Sequence, residues 1–110
     1  MDFENGVPFR YESASAKIRL IEGEYVLRNI YASKRSQGHG TGLMREVEAF
    51  ASKHNLRLVL EVRAYSSVTR KDILDEAQLI EFYKKFGFII DHRKPPTWMV
   101  RPVSRELQAL

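Results

Sequence analysis

The hydrophobic pattern of this chain changes period at a run of glycines. Before residue 33 the apolar and β-branched residues are spaced as in strands, and from Thr41 they recur as on a helix. Between the two lies Arg35-Ser36-Gln37-Gly38-His39-Gly40-Thr41-Gly42. Glycine takes positive φ without a Cβ clash and lets the backbone approach a neighbour closely. The unpaired N–H groups of a following helix attract anions. Such a run does not name its ligand, since many strand-to-helix turns use glycine for geometry alone. No Lys-Ser/Thr pair follows it, which excludes a nucleotide P-loop. The chain is also too short for the long parallel sheet of a dinucleotide fold.

The rest of the pattern fits around that switch. At 110 residues the chain makes one domain, read here as residues 1–102 with a tail over 103–110. Residues 9–20 read as one extended strand, Glu22-Gly23-Glu24 as a hairpin turn, and 25–32 as a second strand. Leu43, Met44, Val47, Phe50 and Ala51 predict a helix ending near His54-Asn55. Residues 56–63 alternate, with Leu56, Leu58, Leu60 and Val62 on one face, and a polar loop follows. Leu79, Phe82 and Phe86 form the stripe of a second helix that Gly87 ends. Strands over 88–92 and 97–101 flank a turn at Lys94-Pro95-Pro96, and Ser104 caps a short terminal helix. The expected fold is mixed α/β, two main helices flanking a mostly antiparallel sheet, in the order β-β-α-β-α-β-β.

Composition narrows the chemistry. There are no cysteines, which excludes disulfides, a thiol nucleophile and thiolate zinc sites, and three scattered histidines offer no metal spacing. Eighteen Lys+Arg against fourteen Asp+Glu leave a net charge of +4, which favours anionic partners. The basic residues are dispersed and no aromatic–basic run resembles a nucleic-acid platform, so nucleic acid is not the expected partner. No apolar run approaches the ~18 residues of a membrane span. Met1-Asp2-Phe3-Glu4-Asn5 is unlike a signal peptide, so a cytoplasmic protein is expected.

The segment Arg35-Ser36-Gln37-Gly38-His39-Gly40 resembles the acetyl-coenzyme A signature of the GCN5-related N-acetyltransferases, Arg/Gln-x-x-Gly-x-Gly/Ala after a strand. A second register, from Gln37 to Gly42, matches as well. The first places Leu43, Met44, Glu48 and Ala51 where the family's helix carries two apolar residues, a glutamate and an alanine. A later segment, Leu79-Ile80-Glu81-Phe82-Tyr83-Lys84-Lys85-Phe86-Gly87-Phe88, is similar to the family's Tyr-x-Lys-x-Gly-Phe helix end. The resemblance spans about half the chain. It departs in three places: only about 23 residues precede the strand before the loop, where relatives carry two helices; Asp75-Glu76 stand where relatives often place an asparagine; and the family's usual proline between strand and loop is absent.

By that resemblance the protein is an acetyl-coenzyme A-dependent N-acetyltransferase (an acyltransferase working through a ternary complex). Arg35, Gln37, Gly38, His39, Gly40, Thr41 and Gly42 would hold the pyrophosphate, and the strand through Ile30, Tyr31 and Ala32 would lie beside pantetheine and supply the oxyanion donor. Tyr83 would give a proton to the departing thiolate, a role open to a phenol because its pKa of about 10 lies just above a thiol's. Glu24 is similar in placement to the family's base glutamate, and Glu61 on the neighbouring strand is the other candidate. His39 and His92 also read as ordinary surface residues, and Trp98 as strand packing. Without the family's first helices the acceptor side is open or completed by a second subunit, which points to a protein lysine or N-terminus. The chain's brevity is similar to that of a small phage-encoded anti-CRISPR acetyltransferase. The alternative is a catalytically silent acyl-coenzyme A-binding or protein-interaction module, such as a phage-type inhibitor of a host defence protein.

Overall fold

The computed structural model describes residues 2–32, 38–63, 75–94 and 97–103. In chain order it forms β1 (Val7–Tyr11), β2 (Ala14–Ile21), β3 (Glu24–Ala32), α1 (His39–His54), β4 (Leu58–Glu61), α2 (Glu76–Lys84), β5 (Ile89–Asp91) and β6 (Trp98–Arg101). The expected α/β class holds, with one strand more than the expected order. Residues 9–20 are not a single strand: they fold back at Glu12-Ser13 into the antiparallel hairpin β1–β2. Glu12 turns the chain at φ 51°, in the left-handed region that glycine or asparagine usually marks, so no turn residue announced it. The next turn was legible. Glu22 and Gly23 both take positive φ, as a two-residue hairpin loop requires.

The strands join in the order β1-β2-β3-β4-β6-β5. Every pairing is antiparallel except β3 with β4, which are connected through α1. One face of the sheet carries Ala14, Ile18, Leu27, Leu58, Leu60 and Met99, packed under Leu43, Met44 and Val47 of α1 and Tyr83 of α2. Leu56, Leu58, Leu60 and Val62 all join that core, as their alternation predicted. The opposite face buries Val26, Val59 and Val100 with Ile21 and Trp98 beside them, and among the described residues no helix lies on it.

The helix ends follow capping rules. Asp75 accepts from the Gln78 backbone N–H at 2.8 Å, and Gln78 reaches back to the Asp75 N–H at 2.9 Å, a reciprocal capping box. Asp75 is thereby accounted for as a helix start. Asn55 closes α1 in the left-handed conformation, and Gly87, at φ 92°, leads the chain out of α2 into β5.

One charged residue is built into this packing. Arg101, 9% exposed, donates from Nε to the Phe86 carbonyl at 2.9 Å and from Nη2 to Ser52 Oγ at 3.1 Å, with Glu48 3.9 Å away. It thus ties β6 to the end of α2 and to α1. Arg101→Leu should strand the buried Phe86 carbonyl and lower stability by about 1–3 kcal/mol, read as a shift of the urea midpoint at unchanged slope. At the other end of β6, beside Trp98, Asp91 is buried at the end of β5. The Arg93 side chain and then its backbone N–H hold the Asp91 carboxyl below its ordinary value. A lowered carboxylate stabilises the fold above its unfolded pKa, so this contribution is present at neutral pH and fades as pH falls below about 4.

Candidate functional site

The site is organised by an irregularity in β3. Between Arg28↔Lys17 and Tyr31↔Ser15, β3 takes three steps against two of β2, so one extra residue bulges out. Asn29 absorbs it at φ 55°, a conformation that asparagine tolerates better than most residues. On its other side β3 pairs with β4 only through Tyr25↔Leu58 and Val26↔Val59. Beyond Val26 the β3–β4 pairing ends, so among the described residues the β4-side backbone groups of residues 27–32 are not paired with that strand. An unpaired strand edge is a template for an extended ligand bearing amides.

Beyond Ala32 the chain continues to α1. Residues 33–37 lie outside the described residues, and with them the expected contacts Arg35 and Gln37. The chain re-enters at Gly38, the helix N-cap, in the left-handed conformation at φ 76° and ψ 7°. Glycine offers no capping side chain, and the first turn of α1 holds no acidic residue. Its N–H groups and the positive end of the helix dipole are thus not neutralised by a carboxylate of the helix itself.

The three glycines of this run differ in what they do. A Cβ on Gly38 would meet nothing among the described residues, but its positive φ strains any other residue. A Cβ on Gly42 would overlap the ring of Tyr11, so Gly42 is required by packing against β1. A Cβ on Gly40 would stand 3.6 Å from Phe82 Cζ, an ordinary contact. Among the described residues, Gly40 is therefore the glycine that neither packing nor backbone geometry explains. Thr41 follows it in the first turn, half-buried. His39 is not the exposed loop residue expected. It is the first residue of α1, half-buried, with Nδ1 2.7 Å from Ser13 Oγ and accepting the Ser13 N–H at 3.4 Å, which ties the helix to the β1–β2 turn.

Tyr83 lies on α2, 6% exposed, with ring centroids 5.5 Å from Phe82 and 6.2 Å from Phe88. Phe82 is also the neighbour of Gly40, so α2 and the glycine turn meet on the same side of the sheet as Ile30, which packs on the main core. Tyr31 points to the other face and is 48% exposed; Ala32 ends β3. Glu24 is at the paired end of β3, five residues before the bulge, and is not gathered with this group. Its carboxylate is held by Lys94 Nζ at 2.5 and 2.6 Å, and Lys94 sits 5.5 Å over the Trp98 ring. Glu61 is taken by Arg63 at 2.6 Å. His92 is exposed.

No family model matches the chain, and no curated protein matches it. Among solved structures it is similar to the crystal structure of anti-CRISPR protein AcrVA5, with a TM-score of 0.67 and 19% identity. The match covers 86% of this chain and 96% of that one. The two chains share a fold.

Sequence reasoning did not find the Lys94–Glu24 pair, the Arg101 clasp or the Asn29 bulge. The first two join residues 70 and 49 positions apart, which no local pattern reports. The bulge had one signal, an asparagine inside an otherwise β-branched and aromatic run.

Proposed function

We propose that the chain is a compact acetyltransferase of the GCN5-related type that takes acetyl-coenzyme A as donor and a protein amine as acceptor. The observation that carries this reading is that β3, past its last pairing with β4, carries a bulge and is followed in the chain by an α1 N-terminus with no side-chain cap. The strand edge would pair with the amides of pantetheine. The α1 N-terminus at Gly38, Gly40 and Thr41 would receive the pyrophosphate. In the transfer the acceptor nitrogen bonds to the thioester carbonyl carbon and the carbon–sulfur bond breaks. The backbone N–H groups near Ile30 stabilise the transient oxyanion, the thiolate takes the Tyr83 proton, and the amine's proton passes to a base. Mass spectrometry of host proteins incubated with the domain and acetyl-coenzyme A tests the proposal. Acetylated lysines or N-termini are expected, and no consumption of acetyl-coenzyme A with any protein or small amine would overturn it.

Glu24, at the paired end of β3 and held by Lys94, is not gathered with the other site residues, so in this reading the amine's proton passes to water. The pair is partly exposed, so its loss costs stability less than about 1 kcal/mol. Lys94→Met should therefore fold normally and leave the transfer rate unchanged. A raised rate would bring Glu24 into the chemistry as the base.

The fold shared with AcrVA5 favours a second reading more directly than it favours turnover, because that protein's name states inhibition and no chemistry. Here the domain is a phage-type inhibitor of a host defence protein and acts by association. The readings part on one measurement. Inhibition that persists in protein freed of acetyl-coenzyme A belongs to association, and inhibition that requires it belongs to transfer.

A further inference from the structure

The sheet face opposite the helices has a charge pattern that the acetyltransferase reading does not use. Burial of Ala14, Ala16 and Ile18 on the helix side turns Ser15, Lys17 and Arg19 of β2 to the other face. The register then places Arg10 of β1 opposite Ser15, which has Tyr31 of β3 on its other side, and Arg28 of β3 directly opposite Lys17. Two like charges facing each other across a ladder destabilise it, and neither side chain has a carboxylate partner among the described residues. Lys17 is held in place, since its aliphatic stem covers Gly6 so closely that a Cβ there would overlap it. Arg19 is fixed by a 2.8 Å bond from Nε to the Glu4 carbonyl. Two acids near this face are turned elsewhere: Glu24 is held by Lys94, and Glu12 lies out at the β1–β2 turn. Within this basic field stands the Tyr31 ring, nearly half exposed.

We propose that this face, over β1, β2 and β3, binds the phosphate backbone of a single-stranded nucleic acid. Arg10, Lys17, Arg19 and Arg28 track the phosphates and Tyr31 offers a ring on which a base stacks. A row of cations across neighbouring strands, two of them held in place, beside an exposed aromatic suits a strand of phosphates and bases better than an acidic polypeptide, which has no use for the ring. An anion lying between Lys17 and Arg28 also relieves their mutual repulsion. The inference does not rest on acetyl transfer and stands or falls separately from it.

Fluorescence anisotropy with labelled oligothymidylate and oligouridylate of about twelve nucleotides tests it across roughly 50–200 mM salt. Binding is expected to weaken with salt at a log–log slope near −2, about −0.7 for each of three phosphates. Lys17→Glu with Arg28→Glu should weaken binding at least about tenfold, and Tyr31→Ala roughly five- to a hundredfold. Arg45→Glu, on the exposed side of α1, should leave it nearly unchanged. Lys17→Gln alone should raise the urea midpoint by removing the like-charge pair, which guards against a variant that merely unfolds. No binding at low salt, an equal loss with Arg45→Glu, or equally tight capture of poly-L-glutamate would overturn the proposal; the last would assign the face to an acidic protein.

Discussion

Replacing Tyr83 by phenylalanine is expected to lower acetyl-transfer turnover by ~10²–10⁴-fold while leaving coenzyme A affinity near that of the parent chain. The substitution removes a hydroxyl and keeps the ring, so the edge contacts with Phe82 and Phe88 persist. Loss of a buried hydroxyl should cost stability about 1 kcal/mol, too little to unfold the domain. Affinity should hold because the proposed phosphate site is on another helix. Turnover with an acceptor found by mass spectrometry, measured beside calorimetric binding of coenzyme A, separates the possibilities. Equal turnover would remove Tyr83 from the chemistry. A variant that melts early would make Tyr83 a core residue first, consistent with its 6% exposure.

Gly40→Val is expected to weaken coenzyme A binding roughly ten- to a hundredfold, the loss of one or two charge-assisted hydrogen bonds to backbone N–H groups. The fold should persist, because the new Cβ meets only the tip of Phe82 at an ordinary distance. Gly42→Val makes the informative contrast. There the new side chain displaces the Tyr11 ring, so stability falls whatever the ligand does. Calorimetry and urea unfolding on both variants would show the two effects apart. Unchanged affinity in Gly40→Val would remove the helix N-terminus from the phosphate site.

The sequence by itself determined most of the element types. Alternation over residues 56–62 placed four side chains on the core face, because a strand has only two faces and one was apolar. The stripes on α1 and α2 and the glycine after α2 were legible for the same reason: helix period and positive φ are local properties. The β1–β2 hairpin was not, since Glu12 adopts a conformation that its residue type rarely signals. Nor was the role of each glycine. Gly38, Gly40 and Gly42 look alike in the sequence, and only Tyr11 and Phe82, brought in from β1 and α2, distinguish them. The same holds for Glu24, whose carboxylate was read as a base and is met by Lys94 from across the sheet. Local periodicity fixes which way a side chain points. What it meets there is set by strand order and register, through contacts between residues far apart in the chain, and those the tertiary structure alone decided.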